Sequence, residues 1–322
     1  MARIVVTGPA LQNIYMIDHD DLKPTAIGEA AIFGKVLVGK SVEIDKAEYS
    51  VSGSGLNAAI TLARRGHEVI LLSNIGRDAA GEAILSVTDR EEIDNSYMGI
   101  IPNHATGTSV TLLDSKSGAE TVLTHHGISR RFGNFAAHDL ELAQPDWLLT
   151  NSIGGDLEKA TELFNKAHEM GIKVMFRPGA EDFRDKNALL KSLAKVDILM
   201  LGKKQASELV PGAVLKELLY HLNNYVKTVI ITDGAMGGIA GSREHEEIYR
   251  FGIYEDVKVR DHTGAGDAFA AGFLAHFCTK KSLRAALIFA SANATSVVKK
   301  IGATSGVLTG SVTLHPMPIQ KL

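Results

Sequence analysis

Short runs of β-branched and other apolar residues alternate along the chain with longer stretches in which apolar positions recur every three or four residues. That alternation is expected of parallel strands joined by crossover helices. Ile4 to Thr7 reads as a buried first strand ending at Gly8, Leu56 to Arg65 as a helix, and Val69 to Asn74 as the next strand. A helix from Leu157 to Met170 leads into a strand at Lys173 to Phe176, and further strands follow at Ile198 to Leu201 and Thr228 to Thr232. Two late helices, Asp267 to Phe277 and Leu283 to Lys300, are apolar on most faces, which predicts burial in the body. Trp147 and the pair Leu148 and Leu149 read as sheet core.

Residues 28 to 50 and 97 to 126 break the alternation and read as hairpin strands, with Thr106 to Leu113 running into a turn at Asp114 to Gly118. Two arrangements suit them: a small sheet projecting over a ligand cleft as a lid, or an antiparallel extension of the main sheet. Spacing alone does not choose between the two.

Composition narrows the function classes. With 34 Lys and Arg against 37 Asp and Glu the net charge is −3, too weak a field to hold nucleic acid by phosphate attraction. Cys278 is the only cysteine, so an intramolecular disulfide and a cysteine-rich metal site are excluded, and a reducing compartment fits. No run reaches the ~18 apolar residues of a membrane span, and Met1 to Gly8 lacks the apolar core of a secretory leader; a cytoplasmic location without a membrane partner is expected. His104, His125 and His126 have no third ligand at a useful spacing and read as surface or hydrogen-bonding residues. The 322 residues suit two domains by length, or one large α/β domain.

Chemistry concentrates in two glycine-rich segments. In Asp261-His262-Thr263-Gly264-Ala265-Gly266-Asp267-Ala268-Phe269, the glycines permit a tight turn whose following helix points unpaired N–H groups back into it. This is a backbone anion hole with a carboxylate at its mouth, suited to accepting a hydroxyl proton while the amides stabilise a transferring phosphoryl group. An Asp cap after a glycine-rich turn is the plainer reading of the same residues. In Ser52-Gly53-Ser54-Gly55-Leu56-Asn57-Ala58, small residues lead into a helix and make a floor for a polyhydroxylated ligand, with Asn57 able to donate and accept. The spacing also matches a loose dinucleotide fingerprint, but the next strand ends in Asn74 rather than an acidic residue, and the glycines follow an edge-like segment, Ala47 to Ser50. No Gly-x4-Gly-Lys-Ser/Thr phosphate loop occurs.

Together these segments resemble the ribokinase-like (PfkB) family of carbohydrate and nucleoside kinases. Gly53 to Ala58 is similar to the first family signature, Gly76-Arg77-Asp78-Ala79-Ala80-Gly81 to its continuation, and Thr263 to Phe269 to the second signature. Thr232 to Gly237 resembles the strand and turn against the nucleotide, and Gly302 to Gly306 the late loop near the adenine. The resemblance implies a three-layer α/β fold, with a mainly parallel central sheet flanked by helices. It further implies one kinase domain over residues 1–322, its lid formed discontinuously by about 15–50 and 97–128. It implies ATP-dependent phosphorylation of a sugar hydroxyl, with Asp267 as base and Gly264, Ala265 and Gly266 as anion hole. Asn13, Gly53, Ser54 and Asn57 would contact substrate, and Thr232, Gly234, Gly237, Thr263 and Ser291 the nucleotide. Mg2+ would accompany ATP, a monovalent cation such as K+ is a further candidate, and family lids often pair to make a homodimer.

The chain departs from the family pattern in several places. Asn13 stands where the family usually has a sugar-binding Asp, and Ser52 replaces the first glycine of a pair. Gly202-Lys203-Lys204-Gln205 replaces an Asn-x-x-Glu motif near metal and phosphates, and Arg177-Pro178 replaces Asp/Asn-Pro. Arg177, Lys203 and Lys204 either contact phosphates directly or serve structure, Arg177 by pairing with Glu181 or Asp182 and the lysines as a solvated helix start. Two alternatives follow for function: a nucleoside kinase, with Phe33 or Tyr49 stacking on a base, and a binding homologue whose turnover has weakened.

Overall fold

The computed structural model describes residues 1–18, 25–26, 32–33, 39, 41, 43–114, 116, 119–131, 137–254 and 257–322. Its main sheet has nine strands, in the spatial order Ile319–Lys321, Glu247–Phe251, Gly238–Ser242, Thr228–Thr232, Ile198–Gly202, Lys173–Arg177, Trp147–Asn151, Arg3–Thr7, Glu68–Leu72. The six strands from Thr228–Thr232 to Glu68–Leu72 run parallel, and the other three are added through successive antiparallel pairings. Parallel strands covered on both faces need apolar side chains on both, and Val5, Val6, Leu148, Leu149, Val174 and Met175 are all buried.

Alternate residues sort into two helical layers. Val6, Leu149 and Met175 pack beneath the helices Ser54–Arg64, Ala265–Lys280 and Leu283–Val298, whereas Val5, Leu148 and Phe176 face Leu157–Glu169 and its neighbours. The two late helices are buried as their composition predicts. Asn293 holds them together: its Nδ2 donates to the Ala268 carbonyl at 2.8 Å and its Oδ1 accepts from the Leu308 amide at 2.9 Å.

Arg3–Thr7 lies between Glu68–Leu72 and Trp147–Asn151, so the winding of the sheet reverses beside it. The crevice beyond the carboxyl ends of strands at such a switch point is where open α/β sheets bind ligands. Gly8 makes the close approach there: a β-carbon on it would lie 2.5 Å from the Asn151 carbonyl oxygen and 3.0 Å from the Gly55 backbone.

A separate four-stranded sheet has the order Glu120–His125, Gly107–Leu113, Leu11–Ile17, Lys46–Ser52. Gly107–Leu113 pairs antiparallel with Glu120–His125 as the expected hairpin strands, most of the expected turn at Asp114 to Gly118 lying outside the described residues, whereas the strand Leu11–Ile17 was not among those expected from the sequence. Residues 97–106 do not join this sheet; Gly99–Ile101 pairs with Asn74–Gly76 instead, and Gly76 packs so closely on the 104–106 backbone that no side chain fits there. Most of residues 28–42 lies outside the described residues.

The small sheet buries polar residues alongside apolar ones on one face. Asn13, Ser109 and Thr111 share its buried face, and both hydroxyls donate to Asn13 Oδ1, at 2.7 and 3.1 Å. Among the described residues, Tyr15, Ile17 and Leu113 make an apolar cluster on the same face, with Ile301 packed against it. A sheet packed against core would not orient three polar side chains inward.

Candidate active site

The second glycine-rich segment forms a turn entering the helix Ala265–Lys280. Gly264 has φ 79°, and a β-carbon on it would stand 2.6 Å from the Ala303 β-carbon and 2.9 Å from its carbonyl oxygen, so glycine is required by both backbone and packing. The amides of Gly266 and Asp267 fall in the first helical turn, which has no internal acceptors for them. The Ala265 amide instead donates to the His262 carbonyl at 3.3 Å.

Asp267 is buried and lies between two partners. Asn57, from the first turn of Ser54–Arg64, donates Nδ2 to Asp267 Oδ2 at 2.8 Å, and Arg177 Nη1 reaches Asp267 Oδ1 at 2.5 Å. The two glycine-rich segments, 210 residues apart at this contact, therefore meet at one carboxylate. Asn57 Oδ1 is buried without a hydrogen-bond partner, as are both polar atoms of Asn151, a residue that sequence reasoning missed. Asn151 is paired in register with Arg177 and shares its helix-facing side of the sheet. Such orphaned groups carry a desolvation cost that a hydroxyl-rich ligand relieves.

Beyond the turn a cavity of about 240 Å³ runs between the residues after Thr228–Thr232 and the helix Leu283–Val298. Thr232, Gly234, Gly237 and Ser291, four of the residues expected at the nucleotide, line it together with Gly266 and the stacked rings of Phe251 and Phe269. Thr263 is absent from that lining. Its amide donates to Asp261 Oδ1 at 2.7 Å and its hydroxyl to Glu120 Oε2 at 3.0 Å, so it joins the turn to the small sheet instead.

Asp261 is fully buried and anchors that junction. Its Oδ2 accepts from the Tyr15 hydroxyl and the Gly302 amide, each at 2.8 Å. Burial, and then the Asp261 charge, push the Tyr15 phenol well above its ordinary range. Burial and the same carboxylate also raise Glu120. Tyr15 and Glu120 come from two strands of the small sheet, which is thereby tied to the loop preceding the anion turn. Neither residue belongs to a glycine-rich motif, and no sequence signal marked them.

The strand ends next to Arg177 differ from the sequence expectation. Asp182 accepts backbone amides from Ile153, Gly155 and Gly179, and Glu181 pairs with Arg130 and Arg184, so neither is left for Arg177. Lys203 is not simply solvated; its Nζ lies 2.9 Å from Asp233 Oδ2. Gln205 accepts from the Gly202 amide and donates to the Pro178 carbonyl. Asp267 is ion-paired with Arg177, Asp233 with Lys203, and Asp261 accepts from Tyr15, Thr263 and Gly302; among the described residues no group of three or more His, Cys, Asp or Glu is placed to hold a metal. The described residues therefore do not fit a divalent cation held by a cluster of protein carboxylates.

Comparison with known proteins agrees with this architecture. The ribokinase of Haemophilus influenzae is 27% identical over 296 residues, spanning 88% of this chain and 90% of that protein. The structure of Arabidopsis thaliana ribokinase complexed with ribose and ATP superposes with a TM-score of 0.76 at 22% identity, covering 96% of each chain. Burkholderia thailandensis nucleoside kinase in complex with inosine gives 0.75 at 17% identity, covering 95% and 94%. The model of the pfkB family carbohydrate kinases matches residues 24–309, a span that contains both glycine-rich segments and the Asn57–Asp267 contact, and the chain belongs to that family of kinases.

Proposed function

We propose that the protein transfers the γ-phosphate of ATP to a hydroxyl of a sugar bound between the main sheet and the small sheet, which acts as its lid. The Asn57–Asp267 contact at the mouth of the anion turn carries this reading. Asp267 would take the proton of the attacking hydroxyl, and the Gly266 and Asp267 amides would receive the phosphoryl oxygens. Asn57 Oδ1 and the amide of Asn13, whose carbonyl oxygen is already engaged by Ser109 and Thr111, would bind the other sugar hydroxyls. Gly53 and Ser54 form the floor, and the cavity lined by Thr232, Gly234, Gly237 and Ser291 takes the nucleotide base and ribose. Mg2+, bound through the nucleotide phosphates, supplies charge neutralisation when present. A cytoplasmic setting suits ATP as donor.

The sugar reading is preferred to a nucleoside because Tyr49, one proposed stacking residue, is 71% exposed, and the Phe33 side chain lies outside the described residues. Phosphoryl transfer from Mg-ATP across pentoses, hexoses and nucleosides tests the choice. A pentose or hexose as best acceptor supports it, and a nucleoside as best acceptor replaces it.

The outer face of the small sheet carries the cross-strand row Tyr49, Ile14, Val110, Leu123, with Met16 and Leu112 beside it. Leu123 is 58% exposed. An apolar sheet face of this kind suits a second copy of the chain, giving a homodimer through the lid. Leu123→Lys is expected to convert a dimer to a monomer in analytical ultracentrifugation; a wild-type monomer at micromolar concentration would contradict the pairing.

A further inference from the structure

Three neighbouring strand ends bring an unusual charge set to the anion turn. Arg177 closes Lys173–Arg177, Gly202 closes the next strand with Gln205 capping it, and Lys203 follows, paired with Asp233 beyond Thr228–Thr232. Gln205 is neutral and both ends of its amide are occupied. The cation nearest the turn is Arg177. Besides its contact with Asp267, its Nη2 lies 2.6 Å from where a β-carbon on Gly266 would stand, so the guanidinium rests directly on the first turn of the helix. Its side chain is 27% exposed on the crevice side.

This arrangement makes difficulty for an incoming nucleotide unless Arg177 moves. A γ-phosphate entering over the Gly266 and Asp267 amides meets the Asp267 carboxylate, a like charge, at close range. It also meets a planar five-donor group that binds phosphate at two points and is held here by a single carboxylate oxygen. Exchanging that oxygen for phosphate oxygens removes the repulsion and returns Asp267 Oδ1 to the acceptor hydroxyl.

We propose that Arg177 is a catalytic residue, which leaves Asp267 when ATP binds and grips the transferring γ-phosphoryl group; this rests on the kinase reading of the same site. In the step, the acceptor oxygen forms a bond to the γ-phosphorus as the bond from that phosphorus to the β,γ-bridging oxygen breaks. The acceptor proton passes to Asp267, and ADP leaves with the electron pair of the broken bond. Arg177 neutralises charge on the equatorial oxygens, a task for which the strand end after it supplies the neutral Gln205 and a Lys203 already paired with Asp233. Without nucleotide the same guanidinium keeps the base occupied.

The test compares wild type, Arg177→Met and Arg177→Lys as full-length chains, with steady-state kinetics and with calorimetry against AMP and adenylyl imidodiphosphate. Arg177→Met is expected to lower kcat about 10²–10³-fold, and Arg177→Lys to recover part of that loss by restoring charge without the fork. AMP affinity is expected to stay constant while affinity for the triphosphate analogue falls about tenfold, a split that general loss of structure would not produce. An unchanged ratio of the two affinities, or a kcat for Arg177→Met equal to or above wild type, overturns the proposal, the latter by showing that Arg177 only restrains Asp267. If Arg177→Met does not fold, Arg177→Lys decides by the same ratio and the same kcat comparison. If wild type phosphorylates no acceptor, the kinase reading falls, and the calorimetric ratio still decides whether Arg177 engages the terminal phosphates.

Discussion

Asp267→Asn is expected to lower kcat by about 10²–10⁴-fold while leaving AMP affinity and the far-UV circular dichroism spectrum unchanged. The substitution preserves size but removes the carboxylate that lies between the anion turn and Asn57. A carboxylate is a weak base toward an alcohol at rest, and it contributes because most of the proton transfer follows formation of the new phosphorus–oxygen bond. The Asn side chain has one acceptor oxygen for two donors, Arg177 and Asn57, so the acceptor KM rises as well, by less than kcat falls. Steady-state kinetics with saturating ATP provide the check. A loss below tenfold would remove Asp267 from proton transfer.

Gly264→Ala attacks the turn itself and is expected to cost about 2–5 kcal/mol of stability together with nearly all activity. The cost has two sources that act at one position. A left-handed φ of 79° is strained for any residue with a β-carbon, and that carbon would collide with the Ala303 backbone rather than with a movable side-chain end. Gly266→Ala is the informative contrast: the nearest atom to its β-carbon is Arg177 Nη2, at the end of a flexible side chain. Thermal melts are expected to show a large drop for Gly264→Ala and a small one for Gly266→Ala. Equal drops would mean that the turn tolerates a side chain at 264.

Motifs whose chemistry is local were legible in the sequence. Gly264 and Gly266 flank a helix start, Asn57 sits in the first turn of another, and the alternation of strand and helix gives the layers directly. Pairing across long separations was not legible. Leu11–Ile17 leaves the main sheet after Gly8 and Pro9, and its partners include Gly107–Leu113, far along the chain, so nothing near Asn13 reveals that it lies inside a second sheet. The Tyr15–Asp261 and Thr263–Glu120 contacts span 246 and 143 residues. Arg177 shows how proximity in sequence misleads. Glu181 and Asp182 are the nearest carboxylates, but backbone amides and two other arginines reach them first, and Arg177 turns to a residue 90 positions away.

The central claim is transfer of phosphate to a sugar hydroxyl at Asp267. It is tested most directly by ³¹P NMR of the wild-type chain with Mg-ATP and each sugar in turn, alongside Asp267→Asn. The expected result is a phosphomonoester resonance that grows in step with ADP for at least one sugar and is absent or far slower with the variant. ADP and inorganic phosphate alone, or equal turnover by the two proteins, would contradict it.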